Sequence, residues 1–250
     1  VKCNAYTLAK VYHPIIVRCM TSFSEPAQWK GGLAFELFKG KGSPEYASNY
    51  RFVLLADQVG KCYHRYIRSL LVPHISSYMI QTSFGGFNHA GADFGILAFI
   101  GFRDLCISKK LAWGILFLDV VAAFESLQRF FVFGDRISDS SICKLFSDIG
   151  LDPDIFDDFI ENVVAANAFS DAGVSSVLEK IVEGSHCGTW LSTNGLVDVV
   201  ATVQGTRAGD PFGDIIYAFL CSRVLRKTKH ILNTQDILLP EVVEVGESLL

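Results

Sequence analysis

The amino-acid sequence predicts an α+β fold, and three observations carry that expectation. Half of the 250 residues are hydrophobic and 20 are Phe, enough for a sizeable core and too many for a globally disordered chain. Apolar residues recur at helical spacing over long stretches, with Leu8, Val11, Tyr12, Ile15 and Ile16 as the first example. Short apolar runs, from Tyr50 to Leu55 and from Gly114 to Leu118, read instead as strands, and Thr193-Asn194-Gly195 reads as a hairpin turn.

Taken in order, residues 1–38 read as helical, interrupted at Pro14 and Pro26. Lys39-Gly40-Lys41-Gly42-Ser43-Pro44 is a basic turn-forming stretch ahead of the Tyr50 strand. A helix from Gly60 to Ser69 would carry Lys61, Arg65 and Arg68 along one side. A Gly-rich loop from Gln81 to Gly91, a helix from Asp93 to Leu105 and a buried strand from Gly114 to Leu118 follow. A helix from Phe124 to Phe133 then leads into an acidic helical segment, Ser140 to Asn167, and a hairpin region from Glu183 to Val203. The loop Gln204-Gly205-Thr206-Arg207-Ala208-Gly209 opens onto a well-marked helix. Asp210 suits its N-cap, Pro211 its first position, and Phe212, Ile215, Ile216, Phe219 and Leu220 its buried face. Residues 231–250 are mixed and acidic and receive no element.

Several classes are excluded. Leu111 to Phe124 is shorter than the ~18–20 apolar residues of a membrane span and contains Asp119. The N-terminus has no signal-peptide pattern and begins at Val1, as expected for the interior of a longer polypeptide. Seven widely spaced cysteines without a CxxC pair point to reduced thiols in an intracellular, cytoplasmic or nuclear protein that is not secreted. GxSxG, Walker A and HExxH motifs are absent. The net charge of −4 hides a gradient: residues 1–75 carry ten Lys/Arg against four Asp/Glu, and residues 111–200 carry four against fourteen. A basic front half suits phosphates and an acidic half suits cations, although ordinary solvated faces would give the same count.

Asp119 closes the apolar run Ile115-Leu116-Phe117-Leu118 and is followed by Ala123-Phe124. A carboxylate buried at the end of such a strand needs a compensating cation, and a divalent metal is the strongest. A helix N-cap fits the same local sequence.

Five segments stand in a recurrent order: Lys39 to Ser43; Asn49-Tyr50-Arg51-Phe52-Val53-Leu54-Leu55; Gln81 with Phe84-Gly85-Gly86; Phe117-Leu118-Asp119 with Ala123-Phe124; and Gln204 to Pro211. Over roughly residues 30–225 this order resembles the reverse transcriptases of non-LTR (LINE-type) retrotransposons and their group II intron relatives. The Asn-Tyr-Arg segment resembles their fingers motif, Asp119 with Ala123-Phe124 their first palm motif, and Gly205 to Pro211 their second. The resemblance implies right-hand polymerase fingers plus a partial palm, with helices packed on a small, mostly antiparallel sheet. Residues 1–110 would be N-terminal helices and the fingers-like region. Residues 111–250 would be the partial palm, with an acidic helical insertion at about 140–203.

The implied activity is RNA-directed DNA synthesis: nucleotidyl transfer of dNTPs onto a DNA primer on an RNA template, assisted by two Mg²⁺ ions, with Mn²⁺ as a substitute. Asp119 would ligate metal, with the Val120 carbonyl beside the triphosphate. Phe124 would pack under the incoming sugar and exclude a 2′-hydroxyl. Arg51 would hold nucleotide phosphates. Gly205 and Gly209 would let the loop approach the nascent base pair, and Arg207 would reach a phosphate or the template strand. Lys39, Lys41, Lys61 and Gln81 would make diffuse nucleic-acid contacts. The remainder of the polyprotein would supply the rest of palm and thumb.

The sequence also departs from the family pattern. Ala208 stands where a Gln is usual, with Gln204 as its nearest substitute, Phe52 replaces the Pro after the fingers Arg, and Glu125 replaces an Asp. The third palm motif, aromatic-x-Asp-Asp, is absent from residues 212–250, and Asp157-Asp158 has Ile155 at the aromatic position. The chain alone should therefore not polymerise. A catalytically dead relict that at most binds nucleic acid is the principal alternative, and an unrelated α/β domain with Asp119 as a helix cap is the remoter one.

Overall fold

A computed structural model describes residues 4–80, 83–85, 91–115, 117, 119–120, 122–133, 142–143, 146–147, 150–159, 167–195, 197–207 and 209–235. Its architecture is mixed α+β, with helices packed on one four-stranded sheet.

The first helix, α1 (Ala5–Ser22), is capped by Asn4, whose side chain accepts from Tyr6 N at 3.0 Å. It runs through Pro14 and ends where Phe23 turns left-handed at φ 52°. Pro14 therefore does not interrupt it, as the sequence had suggested. Cys19 is buried and Ile16 and Met20 pack against the core, while Leu8, Val11, Ile15 and Val17 of the same helix are exposed.

Residues 31–38, expected to be helical, form strand β1 (Gly31–Phe38). Periodicity could not decide this short apolar run, because its partners are distant in sequence. It pairs antiparallel with β2 (Tyr50–Ala56) and parallel with β3 (Thr189–Thr193). The latter turns at Asn194-Gly195 and pairs antiparallel with β4 (Val200–Thr202), as the hairpin signal predicted. The sheet order is β2-β1-β3-β4, so two of its three pairings are antiparallel.

Helix α2 (Gln58–Tyr78) starts at Asp57, which accepts from Val59 N and Gly60 N at 2.8 and 2.9 Å. Tyr63, His64, Ile67, Leu71, Ile75 and Tyr78 form its buried stripe. It runs nine residues beyond the predicted end at Ser69. Next comes α3 (Ala92–Ser108), largely exposed, with only Cys106 buried. The predicted helix from Phe124 to Phe133 is two short ones, α4 (Ala123–Ser126) and α5 (Phe130–Phe133), with Leu127 buried between them.

Within the acidic segment the short helix α6 (Phe156–Phe159) is present, and most of the rest lies outside the described residues. After it come α7 (Ala168–Asp171) and α8 (Ser176–His186), whose Ser175 cap accepts from Leu178 N. The last helix among the described residues is α9 (Gly213–Thr234), with Phe212 (just before it), Ile215, Ile216 and Phe219 buried and Leu220 half-buried.

One hydrophobic cluster joins both halves of the sequence. It runs from Cys19, Trp29 and the α2 stripe through Leu127, Phe133 and Phe169 to Val182, Phe212 and Phe219. Each large side chain fully buried there contributes about 1.5–3 kcal/mol.

The predicted buried strand from Gly114 to Leu118 is a correction. Its described residues carry no strand, and Trp113, Ile115 and Phe117 are exposed, the last at 86 %. An apolar run becomes a strand only where a ladder partner satisfies its backbone. None of the described residues of this run pairs with any of the four strands.

Candidate functional site

The loop at 205–210 is where the distant motifs meet. Gly205 N donates to Leu127 O and Thr206 N to Phe124 O, both at 2.6 Å. These bonds tie the loop to the segment following Asp119. On its other side the loop meets β2: a Cβ at Gly209 would lie 3.0 Å from the Leu54 carbonyl. Gly205 and Gly209 adopt φ +76° and +94°, the left-handed region that glycine enters without strain. A Cβ at Gly205 would meet Glu125 O at 2.7 Å and Phe124 O at 2.9 Å. Both glycines therefore serve close approach of protein backbones.

Arg129, which carried no motif in the sequence, holds this region from behind. Its guanidinium donates to the carbonyls of Gly205, His186, Thr202 and Gln204 at 2.9, 2.6, 3.1 and 3.1 Å. Burial, and secondarily the nearby Arg207 charge, lower its pKa to about 10. The fork geometry of a guanidinium is what reaches four carbonyls at once.

Arg207 is buried at 7 % exposure. Its Nη1 donates to Trp29 O at 2.9 Å, and Nη2 lies 3.0 Å from Asp210 Oδ2. In this arrangement it braces the loop against the Trp29 carbonyl and Asp210. Asp210 accepts from Phe212 N at 3.0 Å, so it caps the turn around Pro211 that precedes α9. The same carboxylate lies 3.0 Å from His64 Nδ1, and His64 Nε2 lies 2.8 Å from Glu25 Oε2. Burial alone would raise the Asp210 pKa; the hydrogen bond from His64 and the Arg207 charge outweigh it and hold the carboxyl at about 2. Sequence reasoning missed Glu25 and His64, because neither lies in a spacing pattern that announces a buried pair. His64's place on the buried stripe of α2 was the signal available.

Asp119 is exposed, so the burial argument for a compensating cation does not apply to it. Its charge nonetheless reaches Tyr217 on α9. Burial first, then contact with Cys221 and the Asp119 charge, push that phenol up to about 12. Among the described residues no three His, Cys, Asp or Glu side chains are grouped to hold a metal ion.

Phe124 is half-buried, with its ring edge-on to Tyr217 at 5.6 Å between centroids. Val120 is exposed. Arg51 is exposed on β2 opposite Leu37. Lys39 donates from Nζ to Ser48 O at 2.7 Å, Lys41 is exposed and Lys61 half-buried. Gln204 accepts from Gln128 Nε2 at 3.2 Å on the surface. Gln81 lies outside the described residues.

Among the described residues no helix is long and apolar enough to cross a membrane. No protein-family model matches the chain, and no curated protein sequence matches it.

Proposed function

We propose that the chain is part of an RNA-directed DNA polymerase that adds deoxynucleotides to a DNA primer on an RNA template. The observation that supports this reading is the meeting of three ordered motifs at one loop. The carbonyls of Phe124 and Leu127 accept from Thr206 and Gly205, and the Leu54 backbone, about 70 residues away from Phe124 in sequence, lies against Gly209.

In this reading Asp119 contributes a carboxylate to Mg²⁺, for which Mn²⁺ can substitute, and the Val120 carbonyl lies beside the triphosphate. Phe124 discriminates against a 2′-hydroxyl, with Tyr217 fixing its ring. Arg51 binds nucleotide phosphates, while Lys39, Lys41, Lys61 and Gln81 supply backbone contacts that position but do not specify. Gly205 and Gly209 shape the loop facing the nascent pair. Arg207 acts as a brace, since reaching a phosphate would mean giving up Asp210. The remaining carboxylates would come from an aromatic-x-Asp-Asp segment that this sequence does not contain.

A second reading is favoured by the exposure of Asp119. It is a catalytically dead relative that binds nucleic acid without turnover.

Primer extension separates them. In a polypeptide that includes an aromatic-x-Asp-Asp segment, extension on an RNA template should require Mg²⁺ and vanish in Asp119→Ala. Undiminished extension in that variant would remove the metal role. Salt-dependent template–primer binding with no extension by the parent would establish the dead relative.

A further inference from the structure

Four buried titratable groups form a connected set at the base of the 205–210 loop, and the polymerase reading uses only the Arg207–Asp210 pair among them. Glu25, His64, Arg207 and Asp210 are each less than 10 % exposed. They come from four separate places: the turn after α1, the middle of α2, the loop, and the turn into α9. His64 is the hub. Its Nε2 lies 2.8 Å from Glu25 Oε2 and its Nδ1 3.0 Å from Asp210 Oδ2, while Asp210 also pairs with Arg207.

Both ring nitrogens thus face carboxylate oxygens. A neutral imidazole has one N–H and would turn a lone pair toward one of the two carboxylates. An imidazolium donates to both. Protonated, it also balances the cluster, two carboxylates against an imidazolium and a guanidinium; deprotonated, it leaves an uncompensated negative charge in a buried space.

We propose that His64 is the positioning residue of the Gly205–Asp210 loop, and that its imidazolium is a pH-sensitive latch which clamps the loop when protonated and releases it when neutral. Its bearing on nucleotide handling rests on the polymerase reading, whereas the latch itself rests on the cluster alone. Burial opposes the charged ring, but the bonds to Asp210 and Glu25 outweigh it and raise the His64 pKa. A base raised in the folded state stabilises fully below its ordinary value of 6.5 and loses that contribution as pH rises through the folded value.

The other groups facing the cluster do not mask this. The Cys19 thiol and the Tyr63 phenol, which sense Glu25, are pushed upward and keep their protons. Arg129 and His186 face Arg207; the first, lowered to about 10, stays cationic over most of the range in which a histidine changes charge, and the second, pushed by burial down to about 3, stays neutral throughout it.

The test is amide hydrogen exchange on the full chain from about pH 5 to 9, the range in which a histidine changes charge. Exchange is corrected for the intrinsic rate at each pH. The Gly205, Thr206 and Phe212 amides report the loop, because each is bonded within it or across it. The Ile216 amide, bonded to Phe212 O, reports α9.

Loop protection should fall several-fold as pH rises through the His64 titration while α9 keeps its protection. Glu25→Gln, which removes the negative charge but keeps an amide oxygen able to accept from His64, should move the step to lower pH. His64→Gln should abolish it. A flat profile in the wild-type protein, an unmoved step in Glu25→Gln, or a surviving step in folded His64→Gln would each overturn the latch. If His64→Gln does not fold, the Glu25→Gln shift decides. No nucleic acid enters this experiment, so a flat profile leaves the polymerase reading standing, and a failed primer extension leaves the latch standing.

Discussion

Arg129 Nε donates to the carbonyl of Gly205 at 2.9 Å, and the same guanidinium satisfies the carbonyls of His186, Thr202 and Gln204. One side chain between α4 and α5 therefore ties the end of α8, strand β4 and the loop into a unit. Truncation removes the Arg129 donor from the partly buried carbonyls of Gly205 and His186, at about 1–3 kcal/mol each where water cannot replace it, whereas the Thr202 carbonyl keeps the Thr189 hydroxyl. Arg129→Met should lower unfolding stability in urea by about 2–4 kcal/mol. Arg129→Lys should recover less than half, because an ammonium cannot span the four carbonyls. Full recovery in Lys would mean that charge, and not the fork, is what matters.

Gly205 and Gly40 form a matched pair of positive-φ glycines, at +76° and +71°. Gly40 has nothing within 4 Å of its added Cβ, whereas Gly205 meets two carbonyl oxygens below 3 Å. Gly40→Ala should therefore cost about 1–2 kcal/mol, the left-handed strain alone. Gly205→Ala should cost visibly more and should release the Thr206–Phe124 bond, read as faster amide exchange at Thr206. Equal costs would show that the close approach at Gly205 is not rigid.

Phe212 packs between two histidines with opposite behaviour, its ring 4.7 Å from His64 and 5.9 Å from His186. Burial, then the Arg207 charge, drive His186 down to about 3. Its Nδ1 donates to Val182 O, and its buried Nε2 has no hydrogen-bond partner among the described residues. Below its ordinary value of 6.5, only the unfolded chain protonates it, so stability falls as pH drops from there toward about 3. His186→Leu should flatten the stability profile in that window by about 1.4 kcal/mol per pH unit. Asp210 has the usual carboxylate sign: its contribution is present above 3.8 and lost as pH falls through about 2. His64 runs opposite to both, losing its contribution on the alkaline side. An unchanged acid slope in His186→Leu, measured by urea midpoints, would contradict the neutral assignment.

Phe124 is held edge-on by Tyr217 and lies next to the loop's bond at its own carbonyl. In an active polymerase containing this chain, Phe124→Val should raise ribonucleotide incorporation on an RNA template at least tenfold relative to deoxynucleotides, a change of about 1.4 kcal/mol in discrimination. Tyr217→Leu should weaken discrimination less. Unaltered selectivity in Phe124→Val would remove the steric role.

Much of the fold was legible locally. The helical start of α2 around Gly60, the β3–β4 turn at Asn194-Gly195 and the buried face of α9 follow from spacing and turn chemistry, whereas the last nine residues of α2, beyond Ser69, did not. What escaped was decided by distant partners. Strand β1 looked helical because its ladder is made with β2 and with β3, whose Trp190 pairs with Gly31. The run ending at Leu118 looked like a buried strand, yet its described residues have no ladder to join. For the candidate site, the glycines at 205 and 209 were readable as backbone-approach positions, though their neighbours are protein carbonyls. Arg129 was invisible, since an arginine that binds four main-chain oxygens has no sequence signature.

The sequence by itself determined the α+β class, most element positions, and the order of segments that resembles a polymerase, because periodicity, caps and turns act within a few residues. Only the tertiary structure decided that Asp119 is exposed, that Arg207 is spent on Asp210, and that His64 stands between two buried carboxylates. Burial and ion pairing are set by residues far apart in the chain. The charge state of a side chain follows from that company and not from its immediate neighbours.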